Sequence, residues 1–139
     1  MDSTQDPPPI NLADLEARAQ RQLDHLAQAY FGGGAADELT LAANRTDWDR
    51  LRLWPRVLQS LEGSHTRVVI AGRSWAHPVM LAPVAYQRLA HPDGEWATAL
   101  AAAAQGAGMV LSLQSTVEVE QVAQVMQQEP GAGPLWFQL

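Results

Sequence analysis

Hydrogen-bonding groups follow each of three short apolar segments in the second half of the chain. The first segment ends at Pro83, Val84 and Ala85, the second ends at Ser112, and the third contains Gln138. Backbone amides, a hydroxyl and a carboxamide can together hydrogen-bond a planar, amide-rich ligand. The same groups also suit ordinary loops, because a serine after a strand often caps the next helix. The pattern alone leaves both interpretations open.

A tyrosine stands where an amphipathic helix should end. Tyr30 and Phe31 directly precede the run Gly32 to Gly34, and glycine favours a helix end. Either the Tyr30 ring is directed at a ligand, or it is a core aromatic whose hydroxyl reaches the surface. The triple glycine lacks the G-x-G-x-x-G spacing and follows no strand, so it does not predict a phosphate loop.

Composition excludes several kinds of function. The 139 residues carry a net charge of −6, which argues against nucleic acid as a partner. There is no cysteine, hence no disulfide and no thiol nucleophile. His25, His65 and His77 lack ligand spacing, so we expect no metal site. His91, in "HPDGE", invites assignment as a general base but suits a hydrogen-bonding residue at a helix entry.

The acidic, proline-rich start of the chain has no basic segment followed by an apolar one, unlike a secretory signal. No apolar run approaches the roughly 18 residues of a membrane helix. We therefore expect a soluble, cytoplasmic protein with no membrane partner.

The first half predicts helices and a hairpin. Residues 1–10 form a disordered lead, and residues 11–77 form a helical segment followed by the hairpin. Asn11 should cap a single helix that continues to Tyr30. A second helix should span residues 36–53, and the hairpin should turn at Gly72-Arg73.

Residues 78–139 predict strand, helix, strand, helix, strand, which is typical of an α/β protein with a parallel sheet. The helices should open at Pro92 and at Thr116, a candidate N-cap. One sheet face should expose residues such as Val79, Leu81 or Val110. The outer edge of the last strand needs cover, either from another chain or from further sequence. In the second case these residues open a (β/α)8 TIM barrel with about three βα steps.

Longer stretches of the sequence resemble a known family. They are "YFGGGAADELTLAANR", "PRVL", "APVAYQRLAHPDGEWATALAAAAQGAGMVLS" and "WFQL". Their order and spacing are similar to the N-terminal part of the FMN-dependent 2-hydroxy-acid oxidases and dehydrogenases. That family includes glycolate oxidase, lactate oxidase, lactate monooxygenase and mandelate dehydrogenase. The resemblance extends from about Asn11 to Leu139, and it makes residues 78–139 the first three strands and two helices of an incomplete FMN-binding TIM barrel.

The resemblance implies roles for six residues. Tyr30 matches the tyrosine that binds the substrate carboxylate. The other five match cofactor-binding positions, with backbone against the flavin ring at Pro83, Val84 and Ala85, a hydroxyl at Ser112 and an amide at Gln138. FMN is then the cofactor, and a small 2-hydroxy acid, oxidised to the 2-oxo acid, is the substrate.

The resemblance also implies what this chain lacks. The family's catalytic histidine, its substrate-binding arginine and a lysine near flavin N1 match positions beyond Leu139, and the chain contains no lysine. We therefore expect these 139 residues to be inactive alone. Possible partners are the remainder of the barrel or further copies of the chain. The alternative is a truncated, non-catalytic fragment or a partner-binding module with an open sheet edge.

Overall fold

A computed structural model describes residues 7–139 of the chain, which divides into two compact units with the boundary after Pro55. The first unit contains three helices, α1 (Leu12–Gln22), α2 (His25–Gly32) and α3 (Leu39–Asp49). Residues 7–10 form neither helix nor strand. The rest of the predicted disordered lead, residues 1–6, lies outside the described residues.

The prediction of one helix from Asn11 to Tyr30 is wrong. Asn11 does cap α1, since its side chain accepts the Asp14 N–H at 2.9 Å. The helix then stops at Leu23, whose backbone is extended. Asp24 starts α2 by accepting the Ala27 N–H at 2.8 Å. An aspartate that caps a new helix offers the backbone an alternative to continuing the old one, and apolar periodicity alone does not reveal this competition.

The predicted helix over residues 36–53 is shorter at both ends. Glu38 adopts a left-handed conformation with φ of 56°, so α3 begins only after it, and α3 ends at Asp49. The second unit opens with the predicted hairpin of β1 (Val68–Ile70) and β2 (Arg73–Trp75). Its turn lies one residue earlier than predicted, at Ala71 and Gly72, both with positive φ. Two such residues match the twist of the flanking strands.

The remaining elements of the second unit alternate as predicted. They are β3 (Met80–Leu81), a 3-10 helix (Gln87–Leu89), α4 (Gly94–Ala104), β4 (Gly108–Ser112), α5 (Val119–Gln128) and β5 (Leu135–Gln138). The three strands form a parallel sheet in the order β3-β4-β5, which confirms the expected α/β arrangement.

The core of this unit lies between the sheet and its two helices. Met109 and Leu111 of β4 are fully buried against small side chains of α4, such as Ala99, and larger ones of α5, such as Val122 and Met126. Alanines let α4 approach the sheet closely, while α5 supplies the volume. Burying side chains of this size stabilises the unit by about 1.5–3 kcal/mol each.

Alternation along β4 places Val110 and Ser112 on the face opposite the helices. Leu81 pairs with Met109 and packs against the helix-side core, so the expectation that it lies on the opposite face is wrong. The error follows from register, since shifting a strand by one residue exchanges its two faces. On the face away from the helices, Val110 of β4 pairs in register with Trp136 of β5. The Trp136 ring contacts the Trp75 ring of the hairpin edge-to-face, with centroids 5.8 Å apart.

A buried carboxylate joins the loop that follows β3 to the loop that follows β4. Glu95, in the first turn of α4, is 0% exposed. Its Oε1 accepts the N–H of Gln87 at 3.1 Å and the N–H of Thr116 at 3.0 Å, and its Oε2 accepts the Thr116 hydroxyl at 2.6 Å. The sequence-based prediction that Thr116 caps α5 is therefore wrong. Glu95 binds Thr116, and α5 begins after Glu118.

Two opposing effects set the pKa of Glu95. Burial is the largest single effect and raises the pKa, but the hydrogen bonds from Thr116, Gln87 and its own backbone together lower it below the usual value. The carboxylate is thus stabilised in its charged form, as expected for an acceptor of several N–H and O–H groups.

The first testable consequence concerns close backbone contact at Gly133. A Cβ added there would lie 2.4 Å from the Gly108 backbone nitrogen and 2.7 Å from the Ala107 oxygen, whereas one added at Gly131 meets nothing within 4 Å. We expect Gly133→Ala to lower the free energy of unfolding by about 1–3 kcal/mol or more, since backbone atoms cannot move aside as side chains can. Urea unfolding of both alanine variants tests this. Equal losses would show that the two glycines are equivalent.

A second prediction follows from the pKa of Glu95. Because the folded-state pKa is lowered, the carboxylate contributes stability that is present above the unfolded value of 4.5 and is lost as the pH falls through the folded pKa. The difference in unfolding free energy between the wild type and Glu95→Gln should therefore be largest at neutral pH and shrink in acid. Exposed Glu120→Gln serves as the control in the same urea series. A Glu95→Gln difference that does not change with pH would contradict the assignment.

Candidate functional site

The fold brings five of the six predicted site residues to one edge of the parallel sheet. The loop from β3 to α4 (residues 82–93, the β3–α4 loop) carries Pro83, Val84 and Ala85, and it leaves the carboxyl end of its strand. Ser112 and Gln138 end the neighbouring strands and are partners in the β4–β5 register. Carboxyl ends of parallel strands are where α/β proteins bind ligands.

Backbone donors are available in the β3–α4 loop. The N–H groups of Val84 and Ala85 have no hydrogen-bond partner within residues 7–139. The Val84 backbone carbonyl accepts the side-chain N–H of Gln87 at 3.3 Å, and the side-chain Oε1 of Gln87 accepts the Thr98 hydroxyl at 2.5 Å. Gln87 thus ties the segment to α4, which fixes its path without using its N–H groups.

Ser112 supplies a hydroxyl from a buried residue, of which only 6% is exposed. Its oxygen accepts the Gln114 N–H at 3.2 Å, while its own hydrogen has no acceptor in the described part of the chain. A hydroxyl donates one hydrogen bond and accepts up to two. Ser112 is therefore oriented by the following loop and can still donate to a ligand.

Gln138 provides a carboxamide beside Ser112. Its backbone carbonyl accepts the Leu113 N–H at 3.0 Å, which locks the end of β5 to β4. Its side chain is exposed and makes no hydrogen bond to the other residues that the structure describes. One donor and one acceptor group thus stand next to the Ser112 hydroxyl on the same side of the sheet.

The backbone at Tyr86 forms a turn that joins the β3–α4 loop to Gln114. Tyr86 has φ of 53°, a left-handed conformation that costs about 1–2 kcal/mol for a residue other than glycine. Its N–H donates to the Gln114 carbonyl at 3.1 Å, and its carbonyl accepts the Leu89 N–H at 2.9 Å. This turn directly follows Val84 and Ala85.

Sequence reasoning missed Glu95, the residue that holds the turn. Its carboxylate binds Gln87 on one side and Thr116 on the other, so it connects the β3–α4 loop to the loop between β4 and α5 (residues 113–118, the β4–α5 loop). The sequence shows Glu95 only as a glutamate near a helix start. Such a position is common because a negative charge there interacts favourably with the helix dipole, so it does not reveal the contacts to the two loops.

Tyr30 lies in the first compact unit, near the end of α2. Its ring meets Phe31 edge-to-face, with centroids 5.2 Å apart. The residue is 46% exposed, which argues against the interpretation as a core aromatic. The extended Gly33 ends α2 by donating its N–H to the Ala29 carbonyl at 3.1 Å. A Cβ on Gly33 would lie 2.7 Å from that oxygen, so glycine permits this close turn.

Other features of the described residues add no competing site. A cavity of about 610 Å³ lies along α1 and α2, and none of the six predicted site residues lines it. Within residues 7–139 there is no cluster of three metal-ligating side chains. No helix in that range has both the length and the apolar character needed to cross a bilayer.

Comparison with known proteins places this chain among flavoenzymes. The family described as FMN-dependent dehydrogenase matches residues 19–139. The L-lactate oxidase of Roseobacter sp. (strain GAI101) is 43% identical over 131 residues, which cover 94% of this chain and 34% of that enzyme. Glycolate oxidase 1 of Zea mays is 40% identical over 129 residues, 93% of this chain and 34% of the relative.

A solved structure agrees with these matches. The crystal structure of mandelate oxidase with (S)-4-hydroxymandelic acid aligns with a TM-score of 0.84 at 40% identity, covering 94% of this chain and 35% of that chain. The chain thus spans about a third of the length of the relatives it matches. Because the family match covers most of the sequence, the chain belongs to the FMN-dependent dehydrogenase family.

Proposed function

We propose that these residues form the N-terminal third of an FMN-dependent 2-hydroxy-acid oxidoreductase and supply one side of its flavin pocket. The observation that carries the proposal is the convergence of Val84, Ala85, Ser112 and Gln138 at the carboxyl edge of the β3-β4-β5 sheet. When bound, FMN accepts the two electrons released as the 2-hydroxy acid becomes a 2-oxo acid.

The available groups fit an isoalloxazine ring. The ring presents one N–H donor at N3 and acceptors at O2, O4 and N5. The N–H groups of Val84 and Ala85, the Ser112 hydroxyl and the Gln138 amide hydrogen supply donors for the acceptors. The Gln138 amide oxygen supplies an acceptor for N3–H. A planar heterocycle laid against this edge would thus find partners of both kinds.

Tyr30 has a separate role in this proposal, as the group that binds the substrate carboxylate. A phenol hydroxyl donates a charge-assisted hydrogen bond to a carboxylate, which is stronger than a neutral one. Tyr30 is 46% exposed, and α2 ends shortly after it at Gly33. The L-lactate oxidase and mandelate oxidase relatives indicate small 2-hydroxy acids as the substrate class.

The strand order fits the opening of a (β/α)8 barrel. Parallel strands joined by α4 and α5, with helices on one face, are the repeated unit of that architecture. The opposite face, with Val110 and Trp136, would then line the barrel interior. In this arrangement the base, the carboxylate-binding arginine and a lysine near N1 come from other parts of the enzyme, and these 139 residues alone do not turn over substrate.

A second candidate function is binding of another polypeptide along β5. Its support is the exposure of Trp136 and Phe137, at 44% and 45%, on a strand that pairs only with β4 among the described residues. Unpaired strand edges with apolar side chains favour association. Under this alternative a flavin would not bind at the edge, whereas the oligomeric state would depend on Phe137.

Flavin titration separates the two candidates. Because the proposed contacts all involve the ring, riboflavin, which lacks the phosphate, should bind this chain about as tightly as FMN. Ser112→Ala and Gln138→Ala should each weaken binding about two- to tenfold, the worth of one hydrogen bond. Quenching of flavin fluorescence measures this, with exposed Gln127→Ala as the matched control. Absence of quenching, or equal effects at Gln127 and Gln138, would contradict the assignment.

The role of Tyr30 is testable in a chimeric enzyme in which residues 19–139 replace the matching third of the Roseobacter L-lactate oxidase. Tyr30→Phe should lower kcat/KM for L-lactate by about one to two decades, because it removes one hydrogen bond to a charged group. Bound FMN should not change.

Glu120→Gln is the control for the Tyr30 variant, because Glu120 is exposed on α5 and takes part in none of the proposed contacts. It should leave kcat/KM within about a factor of three. A Tyr30→Phe chimera that keeps full kcat/KM but loses FMN would assign Tyr30 to the cofactor instead of the substrate.

A further inference from the structure

Glu95 is a buried charged group that the proposed flavin contacts do not use. It is completely inaccessible, and apart from its own backbone its side-chain partners lie in the two loops that follow β3 and β4. A charged side chain is costly to bury unless it is fully hydrogen-bonded, so its position implies a specific task. The partners indicate that task, because Gln87 and Thr116 lie 29 positions apart in the chain and both donate their N–H groups to this carboxylate.

We propose that Glu95 is a positioning residue that fixes the spacing between the β3–α4 loop and the β4–α5 loop, and thereby aligns Val84 and Ala85 with Ser112, which directly precedes the second loop. This inference rests on the proposed function for its flavin part. The N–H of Gln87 follows Tyr86, whose left-handed turn comes immediately after Val84 and Ala85. The N–H of Thr116 lies four residues after Ser112.

One atom of Glu95 is shared by the two loops. Both N–H groups donate to Oε1, at 3.1 and 3.0 Å, so a change in the position of this oxygen moves both loops together. The Thr116 hydroxyl donates to Oε2 and accepts the Arg88 N–H at 3.3 Å, which adds a second connection between the loops. Tyr86 donating to the Gln114 carbonyl forms a third.

The residue before Glu95 makes room for this arrangement. Gly94 has φ of 51°, and a Cβ placed on it would lie 3.1 Å from the Thr116 hydroxyl oxygen and 2.9 Å from the Arg88 side chain. Both conditions favour glycine, because the conformation is left-handed and the space is already occupied. The close approach of Thr116 to the start of α4 is therefore built into the backbone as well as into the carboxylate.

Glu95 could instead serve only to stabilise α4 as a negative charge in its first turn, and that role makes different requirements. Interaction with the helix dipole needs only a negative charge near the helix start and is worth about 0.3–1 kcal/mol. It requires neither burial nor bonds to two separate loops. Glutamine separates the two roles, since it lacks the charge but its carbonyl oxygen can still accept both N–H groups that now bind Oε1.

Hydrogen–deuterium exchange measured residue by residue, together with riboflavin titration of the full chain, tests the proposal. In Glu95→Ala, exchange at Gln87 and Thr116 should accelerate about tenfold or more while the β4 amides stay protected, because only local bonds are lost. Riboflavin affinity should fall about tenfold as the two loops separate. Glu95→Gln should restore both properties to within about threefold of the wild type, and exposed Glu120→Gln should match the wild type.

Each outcome decides one question. Normal exchange at Gln87 and Thr116 in a folded Glu95→Ala chain would overturn the proposal, and so would accelerated exchange without any loss of riboflavin affinity. If Glu95→Ala does not fold, Thr116→Val replaces the hydroxyl that binds Glu95 with a methyl group and should still accelerate exchange at Arg88, which donates to that oxygen. If the wild type binds no riboflavin, the flavin assignment fails, whereas exchange at the two amides still establishes or refutes the connection between the loops.

Discussion

The carboxylate of Glu95 is the interaction on which the arrangement of the candidate site depends. Three donors from two loops converge on it in a position closed to solvent. The sheet alone fixes where β3 and β4 end, but it does not fix where the chain goes next. The strain of the left-handed Tyr86 turn must be offset by bonds around it, and the bond from Gln87 to Glu95 is one of them.

Sheet geometry provides the second constraint. In a parallel sheet the carboxyl ends of adjacent strands lie at the same edge, so three separate sequence segments deliver hydrogen-bonding groups to one place. Register determines which side they occupy, and pairing of Ser112 with Gln138 puts both on the face away from the helices. Packing of Met109 and Leu111 against α4 and α5 holds that register, because a slip of one residue would expose them. The core thereby supports the face of the sheet that carries Ser112 and Gln138.

The sequence predicted these features where they depend on periodicity and on local chemistry. The order of strands and helices in residues 78–139, the Asn11 cap and the hairpin are all confirmed. Predictions failed where a single polar residue competed with a pattern. Asp24 ended α1 although the apolar spacing continued, and Thr116 bound Glu95 instead of capping α5. The contact between Thr116 and Glu95 joins residues 21 positions apart, so no local pattern contains it. The Asp24 cap is local, but the apolar spacing that runs through it gives no sign of the competition.

The central claim is that a flavin ring binds against the ends of β3, β4 and β5. Amide chemical shifts followed by NMR while riboflavin is added to the chain test it most directly, because they report the contact residue by residue. The account predicts that the largest shifts occur at Val84 and Ala85, whose N–H groups have no partner within residues 7–139, and next to Ser112 and Gln138. Shifts confined to residues 7–55, or spread evenly over the chain, would contradict it.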